Sequence, residues 1–281
     1  MIICPFDGSK LLLVLQSEHS RVAGFLAAHW GNATFAPPRP FLSMVLAAQE
    51  HDTGWSDWEI KPTLNDEGRP VDYIGSTKLL GKTWLDFYRT GIRRIAAQDP
   101  YAGVIASLHG DALLTQGRGL LPYLPNLSAN PDAKVFIDEQ EGLRVQLLDR
   151  VRAVPELAAE AGDERVYSNF KLMETFDQLA QFVSNRYPFN SAARKNGPSA
   201  TLNDIPVPSR PGAPDVTLTI RVEDESHASI DPYPFDVDPL VITFAGKVVP
   251  ERTYAGRDDF LQDFYRAEPL TVTYHLRSGG H

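Results

Sequence analysis

The sequence predicts a mainly α protein: a helical bundle followed by a small antiparallel-sheet C-terminal extension, α+β as a whole. Three observations predict it. Apolar residues recur at helical spacing in six segments between residues 17 and 186. Composition changes after Phe189, and residues 190–215 are rich in Pro, Ser, Asn and Gly. Beyond them, Val216–Val222, Leu240–Phe244 and Leu270–Tyr274 alternate with period two and favour β-branched residues, as half-buried strands do. The chain then divides into a helical domain with short N-terminal strands (1–189), a linker (190–215) and a β-rich extension packed on the bundle (216–277).

Taken in order, residues 1–16 read as a short strand pair, Ile2-Ile3 and Leu11–Leu15, around the turn residues Asp7-Gly8-Ser9. A helix follows, with Ser17 as its N-cap, and ends near Trp30-Gly31-Asn32. Pro37–Pro40 is a connection. A second helix from about Pro40 to Glu50 carries Phe41, Met44, Val45 and Ala48 along one face and delivers His51-Asp52 at its end. Residues 53–75 read as a long loop that two tryptophans, Trp55 and Trp58, hold in order. Further helices fit 78–98, 100–116, 131–152 and 165–186, with a Gly/Pro/Asn-rich connection at 117–130. One helix is expected within the β-rich part, at about 256–266. The tail from Arg277 to His281 reads as flexible.

The 281 residues are 43% hydrophobic, ample for a sizeable core. Net charge is -9 and no basic stripe is present, which argues against nucleic-acid binding through phosphate neutralisation. The single cysteine, Cys4, cannot form an internal disulfide, so a reducing cytoplasm is the expected compartment. The first residues carry no basic leader, and Leu11–Leu15 is too short to span a membrane. A small-molecule substrate is the partner expected, with no nucleic acid and no membrane; a homodimer is compatible with the sequence.

His19, His51, Asp52, His109 and Asp177 all fall on segments read as helical. Side chains converging from several helices build metal sites in helical bundles. Imidazole and carboxylate without thiolate suit Mn, Fe, Ni or Zn, as one or two ions. Adjacent His and Asp point about 100° apart on an ideal helix. His51 and Asp52 therefore reach one ion only at a helix end, which Thr53-Gly54 provides. His109 is open to three roles: ligand of a second ion, general acid, or helix cap before Gly110. Asp111 is the carboxylate that would orient it.

These residues resemble a known group. Glu18-His19-Ser20-Arg21-Val22-Ala23 looks like the first helix of the HD-domain metal-dependent phosphohydrolase superfamily. His51-Asp52-Thr53-Gly54 looks like its His-Asp-x-Gly signature, and Leu172–Leu179 is similar to the helix carrying its final Asp. The longer strings His51–Trp55, Ser107–Gly110 and Asp231–Phe235 resemble a bacterial, HD-like family catalogued as a domain of unknown function. The resemblance implies an HD-like bundle in which His19, His51, Asp52 and Asp177 bind a divalent metal, with His109 where dinuclear members carry extra histidines. The chain departs from the pattern twice. It shows one intervening histidine where dinuclear members show two, and Trp55 where a phosphate-contacting Lys is usual.

Other residues divide between chemistry and packing. Trp55, Arg69 and Lys82 are the substrate-side candidates, Trp55 as a pocket wall and the two cations for an anionic group. For Trp55, Trp58 and Trp84 the first reading is anchoring of the long loop onto the bundle, ahead of lining an apolar pocket. His29 reads as structural, beside Trp30, and His227 and His275 as surface residues. Asp231–Phe235 reads as a rigid turn packing the sheet on the bundle. Gly117-Arg118-Gly119 lacks the context of a nucleotide cradle, and no Gly-x-Ser-x-Gly elbow exists. Nothing near Cys4 would activate it.

Three functions fit. The first is a metal-dependent hydrolase acting on a small phosphorylated or similar substrate through metal-bound hydroxide, with His109 and Asp111 as the proton-handling pair. The second is a non-haem iron or di-iron oxygenase on the same scaffold. The third is a non-catalytic ligand-binding module that keeps a metal.

Overall fold

The N-terminal strands form where the apolar runs place them, as β1 (Ile2–Pro5) and β2 (Lys10–Val14). They pair antiparallel, Ile2 with Val14 and Pro5 with Leu11, around a turn in which Gly8 takes a φ of 82°. The computed structural model, which describes residues 1–119, 125–185 and 201–279, then departs from the expected fold class. Five further strands follow: β3 (Thr201–Pro208), β4 (Asp215–Val222), β5 (His227–Asp231), β6 (Leu240–Pro250) and β7 (Pro269–Ser278). All seven make one sheet, in the order β1-β2-β6-β7-β5-β4-β3. Neighbouring strands are antiparallel except β5 and β7, which run parallel with His227 opposite His275.

The expectation of a mainly α bundle with a small antiparallel extension is therefore corrected: the fold is α+β around a seven-stranded mixed sheet. The reasons are physical. The N-terminal hairpin takes β6 as its partner, Leu12 opposite Val248, a pairing across more than two hundred residues that no local pattern encodes. β3 carries Pro206 and Pro208, and β5 is the short run His-Ala-Ser-Ile-Asp, so neither shows a strong strand signal. Part of the expected linker is β3. The rest of that linker as far as residue 200, positions 120–124 of the connection at 117–130, and the last two tail residues lie outside the described residues. Arg277 and Ser278 belong to β7.

The helices are α1 (Gln16–His29), α2 (Phe41–Glu50), α3 (Ser56–Glu59), α4 (Tyr73–Leu80), α5 (Thr83–Gln98), α6 (Pro100–Ala112), α7 (Pro131–Arg152), α8 (Asp163–Ser184) and α9 (Arg257–Arg266). Asp99 caps α6 by accepting from Ala102 N with Pro100 in the first turn, and Asn130 caps α7 in the same way. The single helix expected over 78–98 is two, broken at Gly81, whose φ is 53°. The N-cap position of α1 is Leu15 rather than Ser17. The expected long loop holds a 3-10 turn at Thr53–Trp55, then α3, and ends where α4 begins.

The period-two pattern of β2 decides how the layers stack. Leu12 and Val14 point into the large core, where Ile242, Phe244 and Tyr274 meet Val22 and Leu26 of α1 and Phe176 and Val183 of α8. Leu13 points the other way and, with Val249, is covered by Phe260 and Phe264 of α9. Each such fully buried side chain contributes roughly 1.5–3 kcal/mol. The turn at Asp231–Phe235 pins the sheet to the end of α1: the Phe235 ring stands edge-on to Trp30 at 5.8 Å, and Gly31 N donates to Pro234 O at 2.9 Å. Among the described residues no helix is long and apolar enough to cross a membrane.

Candidate metal centre

Two close helix approaches assemble the site. α1 crosses α2 at Gly24, where a Cβ would lie 2.6 Å from Gln49 Cβ. This tight crossing sets His19 beside His51, with ring centroids 5.3 Å apart. His51 closes α2. Asp52 then leaves helical geometry, with φ −103° and ψ 13°, as convergence of two adjacent ligands requires. The following Gly54 faces the backbone of α5 so closely that a Cβ would fall 1.8 Å from Phe87 O. That approach carries Tyr88 onto Asp52. α6 supplies His109. α8 supplies Glu174 and Asp177, one turn apart and on the same face.

The five residues singled out in the sequence come together. His19 Nε2 lies 2.8 Å from Asp177 Oδ1, and His51 Nε2 lies 3.4 Å from both Asp52 Oδ2 and Asp177 Oδ1. The His51 and His109 rings are 5.0 Å apart, edge to face. Ligand atoms of His19, His51 and Asp177 lie within 4.8 Å of one another, as do those of His51, Asp52 and His109. Asp177, at 23% side-chain exposure, is the edge that meets solvent; the others are buried.

Partners around the cluster aim it. His51 Nδ1–H donates to Ala48 O at 2.8 Å, which turns Nε2 into the cluster. Asp52 Oδ2 accepts from Gln16 Nε2 at 2.8 Å and its Oδ1 from Tyr88 Oη at 3.2 Å. His109 Nδ1 lies 2.8 Å from Glu174 Oε1. What remains is a set of buried atoms with no hydrogen-bond partner: His51 Nε2, His19 Nδ1 and Glu174 Oε2. Each such atom costs on the order of 1–3 kcal/mol. Three of them in one place mark a site built for something other than its own packing.

The electrostatics follow from burial and from these pairs. Burial alone would push the His51 imidazole down, but Asp52 and Asp177 outweigh it and hold the ring well above its ordinary value. Burial would raise Asp177, yet its hydrogen bond to His19 and the His51 imidazole beside it hold the carboxyl well below the usual range. Asp52 is lowered for the same reason, against its own burial, by His51. Burial pushes His109 down and Glu174 outweighs it, so His109 ends raised. Glu174 is raised by burial, which His109 only partly offsets. Burial, then the Asp52 charge, put the Tyr88 phenol well above its ordinary value.

The other sequence-derived candidates lie elsewhere. Trp55 is buried against Trp58, Phe87 and Tyr88, where it fastens the chain after Asp52 to α5. Arg69 is exposed and reaches Glu251 at 3.8 Å; Lys82 is exposed and reaches Asp132 at 3.9 Å. Asp111 is fully buried and pairs with Arg144 Nη1 at 2.7 Å, so the carboxylate that orients His109 is Glu174 instead. His29 packs on Phe25, with Nδ1 2.8 Å from Asp236, rather than on Trp30. Glu174, Gln16 and Tyr88 were not singled out by the sequence. For Glu174 a signal existed: an acid three residues before Asp177 shares its helix face.

A family model described as "Protein of unknown function (DUF3891)" matches residues 1–251, so the chain belongs to that family. No curated protein and no solved structure matches the chain.

Proposed function

We propose that this member of the DUF3891 family is a metal-dependent hydrolase with one divalent transition-metal ion, acting on a small phosphorylated or similar substrate. Its donor set resembles that of HD-domain phosphohydrolases. The observation that carries the reading is His51 Nε2. It is buried, aimed by the Ala48 carbonyl, without a hydrogen-bond partner, and ringed by Asp52, Asp177, His19 and His109. Imidazole and carboxylate donors of this kind suit Mn, Fe, Ni or Zn. Both three-residue donor groups pass through His51, and with Nδ1 committed to Ala48 only Nε2 is free. One imidazole nitrogen binds one ion, so the two groups cannot both be filled through His51 at once, which supports a single ion.

Held there, a divalent ion supplies Lewis acidity and lowers the pKa of water towards neutrality. The chain's own residues do the rest. Gln16 and Tyr88 hold the Asp52 carboxylate in place, and Glu174 fixes the ring of His109. Asp177, the solvent-side donor, sets where substrate approaches.

A second reading rests on the composition of the two donor groups. Each is two histidines and one carboxylate, the set that non-haem iron oxygenases use. Elemental analysis of protein purified without added metal, followed by assay on p-nitrophenyl phosphate and nucleoside monophosphates, separates the two. One Mn, Ni or Zn with turnover lost in His51→Ala and Asp52→Ala is the expected result. Iron with a visible absorption band and no hydrolysis supports the oxygenase. Metal content unchanged in both variants overturns the metal reading altogether.

A further inference from the structure

A second group of metal-binding side chains lies on the sheet, outside the core centre. Tyr274 and Leu276 of β7 and Ala228 of β5 are buried, so His275 and His227 stand on the opposite face. The parallel register sets these two histidines directly across from one another. Their rings are 4.6 Å apart and within 17° of parallel. They line an open cavity of about 480 Å³ with Asp238, Pro239, Arg277 and Ser278.

The surroundings prepare one of the rings as a donor. His227 Nδ1 lies 2.8 Å from Asp224 Oδ1, and Asp224 is itself fixed by Ser226 N at 2.8 Å. A carboxylate on one imidazole nitrogen leaves the other nitrogen as the donor, the arrangement that metal-ligating histidines commonly show. Among the described residues the His275 ring has no hydrogen-bond partner. The local charge favours a cation over an anion. Arg277 is paired with Glu223 at 2.7 Å, and the carboxylates of Asp224 and Asp238 stand beside the rings. Asp238 accepts from Ser278 Oγ at 2.6 Å and stands in the same cavity as the rings.

We propose that His227 and His275 chelate a borderline divalent ion of the Ni, Cu or Zn class, and that this site clamps the parallel β5–β7 pair. Two nitrogens on one tetrahedral ion at about 2.0–2.1 Å need a separation of about 3.3 Å. The stacked rings would have to turn out of parallel about their side-chain torsions so that their free nitrogens converge on one ion. The site shares no residue with the core centre and does not depend on it.

The test is calorimetric titration of the full-length protein with Ni²⁺ alone, with circular dichroism to check folding. Wild type is expected to show a binding class that persists in His51→Ala/Asp52→Ala and is lost in both His227→Ala and His275→Ala. Asp224→Asn is expected to weaken that class by about 10-fold. Both histidines are only partly buried, so their alanine variants should fold, and His275→Asn provides a second variant of similar shape. A titration of His275→Ala that superimposes on wild type overturns the site. So does a class lost in His227→Ala alone, because a chelate needs both rings.

Discussion

His109 on α6 and Glu174 on α8 form a buried pair, Nδ1 to Oε1 at 2.8 Å, and both side chains are 2% exposed. Glu174 thereby chooses which nitrogen of His109 carries the proton and which faces away from it. Glu174→Gln keeps the shape and removes the charge. Metal affinity is expected to fall by about 10–100-fold with the fold intact. Competition titration against a chelating dye reads the change. Unaltered affinity in a folded Glu174→Gln protein would show that His109 takes no part in metal binding.

Protons and metal compete for the same imidazole. In the metal-free protein the Asp52 and Asp177 carboxylates, overcoming burial, keep His51 well above its ordinary 6.5. It therefore holds its proton more tightly than a free imidazole does, and metal binding must expel that proton. Titrations in buffers of different ionisation enthalpy are expected to show release of about one proton at pH 7 from this site. Affinity should rise as pH rises. Absence of release would mean that His51 is already neutral.

The same two shifts set the stability of the metal-free protein. His51 is raised, so its contribution is fully present below pH 6.5 and is lost as pH climbs through its folded value. Asp177 is depressed, so its contribution is present above pH 3.8 and is lost as pH falls through its folded value. Protein kept in chelator should thus have its highest Tm between those two limits and lose stability on the alkaline side. A Tm that climbs steadily through pH 8 in chelator would contradict the assigned charges.

The core ligands were legible because each is a polar residue on or at the end of an apolar helical run, where burial demands a partner. His51-Asp52 announced a helix end as well, through Thr53-Gly54. The carboxylate on His109 was not legible. Asp111 is nearer in sequence, but two positions along a helix it faces away, and it meets Arg144 instead. Glu174 is 65 residues distant and reaches His109 only because α6 and α8 pack together. The sheet failed for the same kind of reason. The strand propensity of residues 11–15 was plain, but its partner β6 is set by tertiary pairing, and β5 is too short to stand out. Trp55 packs on Phe87 and Tyr88 of α5, in keeping with the anchoring role that its place in the long loop suggested first.

Gly54 belongs to the packing rather than to the chemistry. A methyl group there would meet Phe87 O at 1.8 Å, and the facing Gly91 would bring its own Cβ within 2.9 Å of Gly54 N. Gly54→Ala must push α5 away from the turn after Asp52. Overpacking of this kind costs typically about 1–3 kcal/mol. It also draws Tyr88 off Asp52, so lowered Tm and weakened metal binding are expected together. A Gly54→Ala protein with wild-type Tm would mean that the approach is looser than described.

Asp111 offers the sharpest separation of a structural carboxylate from a chemical one. It is fully buried, paired with Arg144 at 2.7 Å, and Arg144 also donates to Ser107 Oγ at 3.1 Å, so the pair ties α7 to α6 behind His109. Removing one partner of a buried ion pair costs about 3–5 kcal/mol. Asp111→Leu and Arg144→Met are each expected to destabilise by that order in urea unfolding. The double variant, apolar on both sides, is expected to be more stable than either single variant, because the pair's attraction and its desolvation largely offset each other. Metal affinity of the double variant should match wild type if Asp111 serves packing alone. Recovered stability with a large loss of metal or turnover would instead return Asp111 to the proton-handling role that its sequence position next to His109 suggested.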